Sequence, residues 1–145
     1  MLLADVNVLL YAHRPESPRF EEHRAWLQAA LVGEEPFGVS EIVLASFVRI
    51  STHHRVYLEP TPPTVALDFC AAVLGSPAAV AVRSGPRHWE LFSRLCRSVT
   101  ARGNVVRDAY LAALAIEHGA TWVTSDHGFA RFPGLRWRTP LPAEV

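Results

Sequence analysis

Lysine is absent from this chain of 145 residues: all 14 basic positions are arginine, matched by 14 acids, so the formal charge is zero. No lysine ammonium is therefore at hand to balance a carboxylate cluster, and net charge gives no sign of a nucleic-acid partner. Aspartate is scarce as well, confined to Asp5, Asp68, Asp108 and Asp126. The two cysteines, Cys70 and Cys96, sit in apolar helical patterns and read as small core residues in a reducing compartment; nothing asks for a disulfide. No apolar run approaches the length of a membrane span. The N-terminal MLLADVNVLLYAHR is broken by Asp5 and Asn7, and lacks the basic region and cleavage site of a signal peptide. A cytoplasmic protein is expected. Hydrophobic residues make up 50% of the chain, enough for one core, and the length predicts one domain over 1–145.

The hydrophobic pattern alternates short apolar runs with helical periodicity. Residues 2–5 predict a buried strand, and VNVLLYAH a helix. Ser17-Pro18 reads as the start of a second helix, with Ser17 as N-cap, and Phe20, Leu27, Ala30 and Leu31 on its apolar face. PFGV predicts a strand, after which Ser40 caps a helix carrying Val43, Leu44, Phe47 and Val48. A proline-rich connector, YLEPTPPT, leads to a helix capped by Thr61 with Val65, Phe69, Cys70 and Val73 inward. AAVAV predicts a strand, and Pro86 opens a helix with Leu91, Phe92, Leu95, Cys96 and Val99 apolar. A helix from Val105 to His118 ends at Gly119, TWVT is a strand, and LRWRT a final edge strand. This alternation predicts a three-layer α/β/α sandwich with a mostly parallel central sheet of four to five strands.

In such a sheet the C-terminal ends of strands and the N-terminal ends of helices share one edge, where ligands bind. Asp5, Glu41, Asp108 and Asp126 all fall there, whereas Asp68 lies mid-helix on a polar side. Each acid alone has a local use: turn formation for Asp5 and Asp126, and favourable interaction with a helix N-terminus for Glu41 and Asp108. Together they repel. Two carboxylates 4 Å apart oppose each other by about 4 kcal/mol at an effective dielectric near 20. Such a cluster takes up protons or holds a cation. Hard oxygen donors, without cysteine or suitably spaced histidine, select Mg²⁺ or Mn²⁺. The chemistry such an ion serves is hydrolysis of a phosphodiester.

The segments LLADVNVLLYA, SEIVLASFVRI and GNVVRDAYLAALAIEHGATWVTSDHGFARFPGLRW together resemble PIN-domain ribonucleases, specifically the VapC-type toxins of bacterial toxin–antitoxin pairs. The resemblance implies a Mg²⁺- or Mn²⁺-dependent endoribonuclease whose acidic quartet falls on Asp5, Glu41, Asp108 and Asp126. It places Asn7 as the amide that orients the first aspartate, and Thr124, with Ser125 beside it, as a hydroxyl supporting the last. It also implies a homodimer, a tRNA or ribosomal RNA substrate, and a cognate VapB-type antitoxin that puts an arginine into the acidic pocket. Many relatives carry a further acid where this chain has Gly128, which leaves open whether one or two metals bind.

Between Arg83 and Arg107 six arginines face a single acid, Glu90. Arg87, Arg94 and Arg97 lie on the polar side of their helix, and Arg102 and Arg107 flank the loop before Asp108. Arg102, Arg107, Arg87 and Arg94 are the candidates for RNA phosphates, against the alternative of a solvated helix face. His53-His54 and His127 read as helix-end and turn residues. Trp26, Trp89, Trp122 and Trp137 are expected in the core or an interface rather than as platforms for bases. Two other functions compete: a non-catalytic RNA-binding module of the same fold, and an acid-cluster phosphohydrolase. The second needs a lysine that this chain lacks.

Overall fold

A computed structural model gives the structure of the protein over residues 1–144. Five strands, each of two or three residues, form one sheet in the order β3-β2-β1-β4-β5: β1 is Leu2–Ala4, β2 Phe37–Val39, β3 Ala79–Ala81, β4 Thr121–Val123 and β5 Trp137–Arg138. Every pairing is parallel, with Leu3 opposite Gly38 on one side and Trp122 on the other. Because β1 is central, β2 and β3 grow the sheet one way and β4 and β5 the other. The ends of β1 and β4 therefore flank a topological switch point, the usual crevice for ligands.

Six helices connect these strands: α1 (Val6–His13), α2 (Phe20–Val32), α3 (Glu41–Ser51), α4 (Pro63–Leu74), α5 (His88–Val99) and α6 (Asn104–Glu117). Helix α6 is the most deeply set. Ala109 and Leu111 to Ala115 are all buried, and the alanines let the backbone come close to its neighbours. Helices α5 and α6 form an antiparallel hairpin. Its turn needs Gly103, whose φ of +56° and ψ of −127° exclude a side chain at ordinary cost. No helix among the described residues is long and apolar enough to cross a membrane. Cys70 and Cys96 are free thiols.

Five local expectations fail. Ser17 does not cap α2; Arg19, in the left-handed region at φ 53°, holds the N-cap position. Thr61 does not cap α4, which starts behind Pro62; its buried hydroxyl is bonded to His13 and Arg14 instead. Val65 faces solvent, and Ala66, Cys70 and Val73 supply the buried face of α4. Ser40 stands at the N-cap of α3 but makes no side-chain cap bond, and Pro86 lies in the turn before α5.

Candidate active site

The strand β1 ends one residue before Asp5, which is the N-cap of α1 and is only 6% exposed. Its two oxygens have different partners. One accepts from the Val6 amide at 2.7 Å; the other accepts from the Thr124 hydroxyl at 2.7 Å and the Asn7 amide at 3.2 Å. Asn7 also donates to Thr124 Oγ1 at 3.1 Å and accepts the Ser125 backbone N–H at 3.2 Å. Thr124 Oγ1 in turn accepts the Asp126 N–H at 3.0 Å. The ends of β1 and β4 are thus joined by one polar network whose members fix one another's orientation.

Charge on Asp5 and Asp108 is poorly solvated. Burial pushes the Asp5 carboxyl above its ordinary range; the bonds from Thr124 and Val6 oppose the rise, and the charge of Asp108 adds to it. Burial also raises Asp108, against the pull of Arg107, with Asp126 adding to the rise and Arg131 opposing it. Arg107 lies 3.8 Å from Asp108, and together with Asp5, Ile42 and Leu111 it lines a small cleft between α3 and α6. Asp5, Asp108 and Asp126 therefore form a chain of mutually repelling carboxylates.

A PIN-domain family model matches residues 2–135. Over all 145 residues the chain is 46% identical to the VapC ribonuclease Mb2897 of Mycobacterium bovis, covering 99% of that protein. It is 40% identical to ribonuclease VapC25 of Mycobacterium tuberculosis, over 97% of this chain and 99% of that one. The chain belongs to the VapC ribonucleases of the PIN-domain family. Among solved structures, VapBC2 from Rickettsia felis bound to a promoter DNA fragment superposes with a TM-score of 0.71 at 19% identity, covering 95% of this chain and 97% of that one. FitAcB from Neisseria gonorrhoeae does so with 0.65 at 19% identity, covering 97% and 98%. These likenesses bear on the fold.

Within this VapC fold the four expected acids share one edge of the sheet but do not close on one point. Glu41, the first residue of α3, has a side chain 76% exposed and pairs with Arg83 at 3.3 Å. Asp126 uses Oδ1 to accept the Gly128 N–H at 2.8 Å, capping the short 3-10 turn His127–Arg131. Consequently no three Asp, Glu, His or Cys side chains among the described residues lie close enough to chelate an ion. The donor chemistry nonetheless fits a hard divalent cation: only oxygens are offered, Asp108 raises the Asp5 carboxyl and Asp126 that of Asp108, and no lysine ammonium competes.

Ser125 enters the network through its backbone N–H, not its hydroxyl. Arg107 adjoins the cluster, Arg102 is exposed on the preceding loop, and Arg94 pairs with Glu90 at 2.8 Å. Arg87 lies beside Glu117, nine residues along α6 from Asp108, which is roughly 13 Å of helix rise. His53 accepts the Arg55 N–H at the end of α3, and His127 packs edge-on against Trp137; neither enters the acidic network. Trp122 is core, and Trp26 and Trp137 pack against it, but Trp89 is 72% exposed.

Two arginines bear on this edge without any sequence signal. Arg83 holds Glu41 outward. Arg131 donates to the Gly128 carbonyl at 2.7 Å, and its guanidinium lies 2.9 Å from where a Cβ on Gly128 would stand. Neither is adjacent in sequence to the acid it affects, so no local pattern marks them.

Proposed function

We propose that this VapC ribonuclease hydrolyses RNA with a divalent ion, Mg²⁺ or Mn²⁺, held by Asp5 and Asp108, with Asp126 and Glu41 turning inward to complete the set. The observation that carries this reading is the buried Asp5 carboxylate, fixed by Thr124 and Asn7 and facing Asp108. When bound, the ion supplies positive charge to a phosphate oxygen and acidity to a water. The protein supplies orientation. Thr124 and Asn7 occupy one Asp5 oxygen from the protein side, which leaves the direction of the carboxylate fixed before any ligand arrives. The exposed Glu41–Arg83 and Asp126–Gly128 contacts are weak enough to exchange for a ligand. Hydrolysis joins a water oxygen to phosphorus and breaks the bond from phosphorus to one ribose oxygen. Arg107, beside Asp108, and Arg102, exposed on the loop before α6, are the proposed holders of flanking phosphates.

The partner is read as a VapB-type antitoxin, in keeping with the toxin–antitoxin complexes whose fold this chain shares. An arginine offered by that partner satisfies two carboxylate oxygens at once and excludes the metal. A tRNA or ribosomal RNA is the proposed substrate, the cytoplasm the proposed location, and a homodimer the proposed assembly. Incubation of total tRNA and rRNA with Mn²⁺ or Mg²⁺ tests the mechanism: Asp5→Ala and Asp108→Ala should each lower cleavage by about a hundredfold or more. Variants that cut as well as the wild type would remove both residues from the reaction. An inert wild type beside variants that bind RNA normally would favour the non-catalytic binding module.

A further inference from the structure

The reaction site leaves the outer face of α5 without a role. Its inner face is settled: His88, Leu91 and Leu95 are buried, and the Phe92 ring meets Tyr110 of α6. On the other side Trp89, Ser93 and Arg97 form one row at four-residue spacing, and Glu90 and Arg94 a second. With Pro86 they line an open groove of about 660 Å³. Ser93 is the small residue that opens a trough between the Trp89 ring and Arg97. The ring is 72% exposed yet not free to wander, since it leans on Phe92 with centroids 5.3 Å apart.

The charge here is positive. Glu90 is taken up by Arg94 at 2.8 Å, and Arg97 has no ion-pair partner among the described residues. Arg97 sits at the end of α5 that leads, through residues 100–103, to Arg107 and Asp108. Trp89 lies eight residues further back, roughly 12 Å along the helix. A positive track with one exposed aromatic therefore runs toward the acidic edge. Two arginines against one acid give the groove the sign that suits a polyanion, and its one exposed ring suits a base face. A duplex keeps its bases stacked inside. An unpaired strand offers both the base face that Trp89 can take and the phosphates that arginines can take.

We propose that this groove seats a single-stranded segment of RNA flanking the cut, with a base stacked on Trp89 and phosphates on Arg97 and Arg94. The proposal rests on the ribonuclease reading, so its test measures binding apart from cleavage. A fluorescein-labelled 12-mer oligouridylate is titrated with the full chain in EDTA and followed by anisotropy, with the fold of each variant checked by circular dichroism. Trp89→Ala should bind about tenfold more weakly, and Trp89→Phe should stay near the wild type. Arg97→Gln should lower the slope of log affinity against log salt by about 0.7. Wild-type affinity in Trp89→Ala would overturn the proposal. So would a fall in solution mass for Trp89→Ala at unchanged RNA affinity, because the face would then be a protein interface. Trp89-dependent binding by a wild type that cuts no RNA with Mn²⁺ would uphold the groove and remove the catalytic reading instead.

Discussion

Asp5 is a charged group held where charge is disfavoured, and this has a measurable sign. A carboxyl whose pKa is raised on folding binds its proton more tightly when folded. Its contribution to stability is then fully present below the unfolded value and is lost as pH rises through the folded one. In EDTA, Asp5→Asn should therefore unfold at a higher temperature than the wild type at pH 7, by roughly 3 °C, while losing RNA cleavage. The gap should close toward pH 4. Added Mg²⁺ should raise the wild-type midpoint and leave the variant where it was. A lower midpoint for Asp5→Asn at pH 7 would mean that the bonds from Thr124 and Asn7 outweigh the desolvation. Asn7, two residues after Asp5, and Thr124, two before Asp126, were legible only through the family resemblance, and the hydrogen bonds to Asp5 give them a physical part. The outward turn of Glu41 was not, because Arg83 reaches it from 42 positions away.

At the scale of elements, the α5–α6 hairpin carries both the candidate groove and Asp108, and Glu117 pins its open end. The Glu117 carboxylate accepts the N–H groups of Gly85 and Arg87 at 2.8 and 3.0 Å, in the turn just before α5. Burial alone would raise this carboxyl, but the two donors outweigh it and hold it below its ordinary range. The linkage is opposite to that of Asp5: the contribution is present above the unfolded pKa and lost as pH falls through the folded one. Glu117→Ala should cost about 1 kcal/mol in urea unfolding at pH 7, much as loss of a cap does, and nearly nothing at pH 3. Periodicity revealed α6 and its hairpin partner almost to the residue, since apolar spacing is a property of the helix alone. The caps failed for the opposite reason. Thr61 has the right chemistry for an N-cap, but Arg14 and His13, more than forty positions earlier, hold its hydroxyl. Of the two places expected for Trp89, its exposure rules out the core; its position, out of phase with Leu91, Leu95 and Val99, is the signal that it faces outward.

For the whole molecule, the parallel sheet was legible from short, fully apolar strands punctuated by helices. The strand order was not, because it depends on which runs meet across long crossovers. That order leaves β3 at an edge with Val80 exposed, and α4, which packs beside β3, exposes Val65, Leu67 and Leu74. These exposed apolar side chains support the homodimer reading. Light scattering should return twice the 16.0 kDa chain mass, and Leu74→Glu with Val80→Glu should return the single mass. An unchanged mass in the double variant would place the interface elsewhere.

The polar knot between Asp5 and Thr124 joins the opening strand to one built more than a hundred residues later. During synthesis the opening strand leaves the ribosome first, with its aspartate unbraced and the other acids of that edge still untranslated. On the proposed mechanism, a growing chain therefore cannot cleave RNA before this edge closes. The braced edge exists only once β4 pairs with β1, near the end of translation.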